Sequence, residues 1–272
     1  MSRIMRINHR NIKSSLTGLA FCAPGIIGIV VVYLLPLCKM AISSLQNAYD
    51  KSFCGLQNYR QLLGSPAFQL AAFNTLKFWG VAIPLNLLIG LLLALLLAKL
   101  KKEKVMKFFW LPYMIPVACC VVLWQVESVK SEYLCGILLM IYLWKSIAGT
   151  ALILLAGIRK IPIELTETAQ SLGANPWQLL EKVYLPLLMP SLGIAGIWAM
   201  LSSFRVFREA YLLGGTYPER NLYSLQHFYM NNFMHLNRSR LAAASVLQEL
   251  FTLAIGAFWL ISYRKNQKGN RK

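Results

Sequence analysis

The stretch ELTETAQSLGANPWQLLEKVYLPLL, Glu164 to Leu188, decides how this chain is read. It is a polar, helix-prone island in a sequence that is otherwise largely apolar. Thr166 or Glu164 opens a helix after Ile161-Pro162, Gly173 ends it, and Asn175-Pro176 restarts the chain in a second helix running toward Pro186. The expected product is a helix-turn-helix lying along a membrane face. Leu165, Ala169 and Leu172 recur at helical spacing and are expected to pack on the rest of the protein, leaving Glu167, Gln170 and Ser171 more exposed. Periodicity alone does not separate this arrangement from a plain amphipathic helix at the membrane interface.

The surroundings of the island are membrane-like. Of 272 residues, 57% are apolar and 14% charged, with a mean hydropathy of +0.52; soluble domains hold roughly 45–50% apolar residues. A spanning helix needs about 20 mainly apolar residues, and six segments qualify: Leu16–Cys38, Ala72–Ala98, Met106–Val126, Leu134–Gly157, Leu187–Ala210 and Leu241–Tyr263. The basic residues before the first span superficially resemble a signal peptide, but the apolar run is too long and lacks a small-residue cleavage site, which favours an uncleaved first helix. The organisation expected is an N-terminal arm over 1–15, a six-helix domain over 16–263 containing the island's loop at 158–187, and a basic tail over 264–272.

Charge orients these spans. The net charge of +18 reflects 28 Lys and Arg against 10 Asp and Glu. Seventeen of the 28 lie in four segments that alternate along the chain: Arg3, Arg6, Arg10 and Lys13; Lys99, Lys101, Lys102, Lys104 and Lys107; Arg159, Lys160 and Lys182; and Arg264, Lys265, Lys268, Arg271 and Lys272. By the positive-inside rule these segments, both termini and the island are cytoplasmic. The basic excess then points to anionic membrane lipid rather than nucleic acid. Lys39–Leu70, a turn near Glu127–Tyr133, and Tyr211–Arg240 fall outside.

No motif for nucleotide hydrolysis, zinc proteolysis or serine hydrolysis is present. Six cysteines without C-x-x-C spacing read as small apolar residues, and His9, His227 and His235 are isolated and read as surface residues. No cofactor or metal is expected, and a transporter or channel subunit is the class that remains.

The island's spacing carries a family resemblance. Glu167-x-Ala169, three residues, Gly173, nine residues, then Val183-x-Leu185-Pro186 resembles the E-A-A-x3-G-x9-I-x-L-P loop of the membrane permeases of bacterial ABC importers, with Thr168 replacing the first Ala. Phe53-x-Gly55-Leu56-x-Asn58-Tyr59, Asn74-Thr75, Leu111-Pro112, Ile115-Pro116, Trp124, Trp144-Lys145, Leu155-Ala156-Gly157, and Phe207 with Tyr211 to Gly215 resemble the first-type permease of carbohydrate importers, the group related to the maltose and glycerol-phosphate systems. The Trp124–Trp144 connection is shorter than is usual there.

The resemblance implies an all-α type I ABC importer permease fold in a bacterial plasma membrane. It further implies a carbohydrate substrate and no chemistry on it, a second homologous permease, an ABC ATPase dimer, and an extracytoplasmic solute-binding protein. The ATPase-coupling residues it implies are Glu164, Glu167, Ala169, Gly173, Ala174, Trp177, Leu185 and Pro186. Ionisable groups within spans are functional candidates by default, so Lys145 and Glu249, at similar depth, either pair or line the path, joined by the neutral hydrogen-bonders Ser202, Ser203 and Gln248. Arg205, Arg208 and Glu209 are expected to snorkel at the outer interface. Trp124, Trp144 and Trp198 read as interfacial anchors or sugar-stacking rings. An importer for an amino acid, peptide or anion, a secondary transporter, and a membrane scaffold are the competing readings; a secondary transporter would show repeat-related halves, and none is evident.

Overall fold

The computed structural model describes residues 18, 21–48, 50–100 and 133–269, and every regular element within them is helical. In chain order these are α1 (Phe21–Ser44), α2 (Gln57–Leu63), α3 (Pro66–Leu100), α4 (Leu134–Ile158), α5 (Ile163–Ser171), α6 (Pro176–Leu179), α7 (Leu185–Arg205), α8 (Phe207–Gly214), α9 (Leu225–Met234) and α10 (Arg238–Gly269). A single antiparallel bridge joins Gln46 to Phe53.

Among the described residues, five stretches are long and apolar enough to cross a membrane: Phe21–Ser44, Pro66–Lys99, Leu134–Ile158, Pro176–Gly214 and Arg238–Tyr263. They correspond to the first, second, fourth, fifth and sixth expected spans; Met106–Val126, with Trp124, lies outside the described residues. Hydropathy placed the ends short. The helix at Pro66 starts six residues before Ala72, with Gln69 Nε2 donating to Leu63 O, and the one at Pro176 starts well before Leu187, on the cap formed by Asn175 and Gln178.

Among the described residues, two turns of π-helix interrupt the ladder, at Val30–Leu34 inside α1 and at Leu180–Tyr184 between α6 and α7. In each, the last amide reaches five residues back, Leu35 N to Val30 O and Leu185 N to Leu180 O. The next residues, Pro36 and Pro186, carry no N–H. The ordinary i to i−4 bond is therefore lost there and the widened turn takes its place.

The chain packs as two compact units. One comprises Met1–Leu62 and Leu236–Glu249, and the other Leu63–His235 and Leu250–Lys272. In the larger unit the core joins α3, α4 and α7 through Leu91, Ala94 and Leu97, Leu154, Leu155 and Ile158, and Leu188 and Ala195. Gly90 permits the α3–α4 approach, since a Cβ there would sit 2.6 Å from Thr150 Cγ2. Buried polar side chains then fasten the same helices. Asn86 Nδ2 donates to Ser146 Oγ at 2.5 Å and Thr150 Oγ1 donates to Asn86 Oδ1 at 2.5 Å, while Tyr142 OH donates to Ala199 O at 2.9 Å. With no water inside a membrane to satisfy them, such groups must pair with one another, and each pair fixes a helix register.

In the smaller unit, Asn58 Nδ2 donates to Ser44 O (2.8 Å) and Gln46 O (2.9 Å), and Ser44 Oγ lies 2.6 Å from Tyr59 OH. The Asn58-Tyr59 pair singled out in the sequence thus seats α2 against the end of α1.

Candidate functional site

The island forms the expected pair of helices, with a different entry and a different buried side. α5 begins at Ile163 directly after Pro162, so Glu164 stands in its first turn, and Thr166 Oγ1 returns to Ile163 O at 2.7 Å without capping the helix. Gly173 takes φ +81°, the left-handed conformation that closes the helix; Gly173 N bonds Gln170 O and Ala174 N bonds Ala169 O. Asn175 then caps α6. Its Oδ1 accepts from Gln178 N at 2.8 Å, and the Gln178 side chain accepts from Asn175 N at 2.9 Å, a reciprocal box that fixes the start of the second helix.

Leu165 and Leu172 are exposed rather than covered by the described residues. They are 48% and 83% exposed, and with Ile163 at 61% and Trp177 at 69% they make up an apolar surface beside the exposed Glu164 and Glu167. The sequence pattern identifies which residues recur together but not what covers them. The anchoring falls instead to the second half: Leu179 is buried, and Leu180, Tyr184 and Leu185 pack on the α3–α4–α7 core. Ala169 and Ala174 are half-buried at the junction. The segment is thus held on one side by Leu179, Leu180, Tyr184 and Leu185 and leaves Ile163, Leu165, Leu172 and Trp177 exposed.

At mid-helix on α4, Lys145 Nζ donates to Glu209 Oε1 at 2.8 Å. Glu209 is 1% exposed, and its Oε2 has no partner among the described residues. This corrects two expectations: Glu209 does not snorkel, and the acid joined to Lys145 is Glu209. Glu249, the alternative considered from depth, is exposed on α10. The cause is the break at Val206 between α7 and α8, which turns the Phe207–Gly214 segment so that Glu209 and Ala210 face inward.

Ser202 and Ser203 are both buried. Ser203 Oγ accepts from Trp79 Nε1 at 2.7 Å and donates to Met200 O at 2.6 Å, so its hydroxyl is committed to joining α3 and α7. Gln248 is half-buried on α10. Trp198 carries the Arg205 guanidinium 5.2 Å from its ring centre, a cation–π contact.

At the end of the larger unit away from the island, Asn74 Nδ2 donates to Arg220 O (2.7 Å) and Tyr223 O (2.9 Å), and Thr75 Oγ1 accepts from Leu225 N (3.0 Å). The Asn74-Thr75 pair thereby holds the loop that leads into α9. There His227 is fully buried, against the surface position expected of it. Its Nδ1 accepts from Ser224 N at 3.3 Å, its ring stacks on Tyr223, and Phe207 meets it edge-on; burial pushes its pKa down to about 4. Only the Ser224/His227 spacing before an apolar helix hints at this in the sequence, because histidine is an unusual third residue for a capping box.

Residues 86–264 match the model of the family described as binding-protein-dependent transport system inner membrane component. The trehalose transport system permease protein SugA of Mycobacterium tuberculosis is 28% identical over 193 residues, covering 64% of this chain and 63% of that protein. The trehalose/maltose transport system permease protein MalF of Thermococcus litoralis is 30% identical over 193 residues, covering 62% and 65%. The matches therefore span a little under two thirds of those relatives. The fold is shared with a solved bacterial ABC transporter involved in import of the acidic polysaccharide alginate, at a TM-score of 0.74, 21% identity, and coverage of 94% of this chain and 98% of that one.

Proposed function

Because the chain belongs to the family of binding-protein-dependent transport system inner membrane components, we propose that it is the permease subunit of an ATP-driven ABC importer for a carbohydrate. It forms the translocation path with a second homologous permease, receives substrate from an extracytoplasmic solute-binding protein, and does no chemistry itself. ATP hydrolysis belongs to a separate ATPase dimer. The chain crosses a bacterial plasma membrane several times, with both termini and the island on the cytoplasmic side, as the alternation of basic segments supports. The sugar names of the relatives support a carbohydrate over an amino acid or peptide.

The observation that carries this reading is the surface of Ile163, Leu165, Leu172 and Trp177, exposed on a segment whose other side is anchored by Leu179 and Leu185. Such a segment transmits force only if a partner grips it. ATP-driven closure of the ATPase dimer moves it, α7 moves with it, and the two permeases exchange inward-open and outward-open states. Lys145 and Glu209 fasten the wall of the path, which Ser202 and Ser203 stiffen, and Gln248 and Glu249 are the polar side chains of α10 assigned to it.

The test is ATP-driven uptake of radiolabelled trehalose, maltose and longer oligosaccharides into proteoliposomes holding the four-subunit importer and its binding protein. Glu167→Lys and Leu172→Asp are expected to abolish uptake and co-purification of the ATPase while the permease remains inserted. Undiminished uptake by either variant would refute the coupling assignment.

A further inference from the structure

A second site lies in the smaller unit, at the segments that the proposed orientation places outside the membrane. A cleft of about 280 Å³ opens between the loop after α1, helix α2 and the start of α10. Polar side chains outnumber apolar ones in its lining: Asn47, Gln57, Gln61, Asn237, Ser239 and Arg240 face it beside Ala48 and Cys54, and no lining residue is acidic. Its walls are built independently of any ligand. Asn58 is buried and ties α2 to Ser44 and Gln46, Cys54 Sγ donates to Leu45 O, and Cys54 N closes the loop on the same carbonyl at 2.9 Å.

Three features mark the cleft as more than a surface dent. Leu236 holds φ +55°, a conformation costly to a bulky residue, at the turn that delivers Asn237 to the cleft. Ser239 is only 7% exposed, lines the cleft, and makes no side-chain hydrogen bond among the described residues. The first turn of the 32-residue α10 lies here with Arg240, so the positive end of a long helix and a guanidinium act from the same side. The nearest acid along the chain, Asp50, is engaged by Ser52, whose N and Oγ donate to its Oδ1 at 3.1 and 2.7 Å.

Amides that both donate and accept are suited to ring hydroxyls, and Arg240 with the helix terminus is suited to an anion. We propose that this cleft is a subsite for a saccharide unit bearing a carboxylate, held through its hydroxyls by Gln57, Gln61 and Ser239 and through its acid group by Arg240. The proposal rests on the carbohydrate-import reading and narrows its substrate to acidic saccharides.

The experiment uses the assembled importer in phosphatidylcholine nanodiscs without its binding protein, with trigalacturonate and maltotriose as probes in saturation-transfer NMR titrations. Trigalacturonate is expected to bind at least tenfold more tightly than maltotriose. Arg240→Gln should remove that preference, Gln61→Glu should weaken trigalacturonate at least tenfold with little effect on maltotriose, and Ser239→Ala should weaken both about threefold. Arg240 and Gln61 are exposed, so these changes leave the fold intact. Equal affinity for the two probes, no binding of either, or trigalacturonate binding unchanged in Arg240→Gln would overturn the proposal. Loss of binding-protein docking in these variants with probe binding unaltered would overturn it too, in favour of a protein contact. Sugar uptake that proceeds at wild-type rates in all three variants sinks the subsite alone, whereas absence of any ATP-driven saccharide uptake by the wild-type importer sinks the import reading.

Discussion

Removing either member of the Lys145–Glu209 pair should destabilise the chain, and removing both should nearly restore it. The two charges are 2.8 Å apart, with Glu209 almost completely buried. At an effective dielectric of about 20 their attraction is on the order of 6 kcal/mol, set against a desolvation cost of several kcal/mol per ion. The net worth of the pair is therefore small, but a lone buried carboxylate is expensive. Lys145→Met leaves Glu209 without its counter-charge and with Oε2 unpartnered among the described residues, and should cost about 3–5 kcal/mol. Glu209→Gln should cost less, about 1–3 kcal/mol, because Lys145 keeps partial exposure and a hydrogen-bond acceptor. The double change Lys145→Met with Glu209→Leu should lie within about 1.5 kcal/mol of wild type. Thermal melts of the purified chain in detergent, read by tryptophan fluorescence, give the comparison. Single-variant losses that simply add in the double variant would refute the claim that these groups compensate each other.

Gly173→Val should cost about 1–2 kcal/mol from backbone conformation alone, since nothing lies within 4 Å of the Cβ it would add; Gly173→Asn, which visits the left-handed region readily, should retain ATPase co-purification that Gly173→Val loses. Trp79→Phe removes the donor to Ser203 and should cost about 0.5–1.5 kcal/mol, with Ser203→Ala adding little to it in a double-variant melt. His227, held neutral by burial with its pKa pushed down to about 4, binds fewer protons folded than unfolded. Its contribution is thus fully present above the ordinary histidine value of about 6.5 and is lost as pH falls toward 4. Melting temperature should drop across that window, and the drop should shrink in His227→Phe; an equal pH dependence in both proteins would show that another group is responsible.

Hydropathy and turn chemistry made most of this fold readable in advance. Apolar runs located the spans because a membrane helix must be apolar over its whole crossing, and Gly173 and Asn175-Pro176 located the break in the island because few other residues accept those backbone states. The missing parts are tertiary. Nothing local distinguishes Leu165 and Leu172 covered by the chain from the same residues left bare, since periodicity reports a face and not its neighbour. Depth counting matched Lys145 to Glu249 because it treats each span as straight, whereas the break at Val206 rotates Glu209 inward. A hydroxyl in a span needs a partner, and for Ser203 the indole of Trp79, 124 residues away, supplies one that spacing could not show.

These corrections bear on how the proposed coupling would reach the helices of the larger unit. α7 is the element that the island, the apolar core and the polar fasteners share: it begins at the π turn after α6, carries Leu188 and Ala195 in the core, accepts Tyr142 at Ala199, and carries Ser203 to Trp79. Packed interiors move as bodies rather than deform continuously, so a displacement of α5 and α6 is delivered to α3 and α4 along with α7. The place where this lever is soft is the π turn at Leu180–Tyr184, where Pro186 has removed one backbone bond. Under the proposed import reading, a joint at the island end and a stapled body beyond it would let the island follow an ATPase partner while the path wall shifts as one piece.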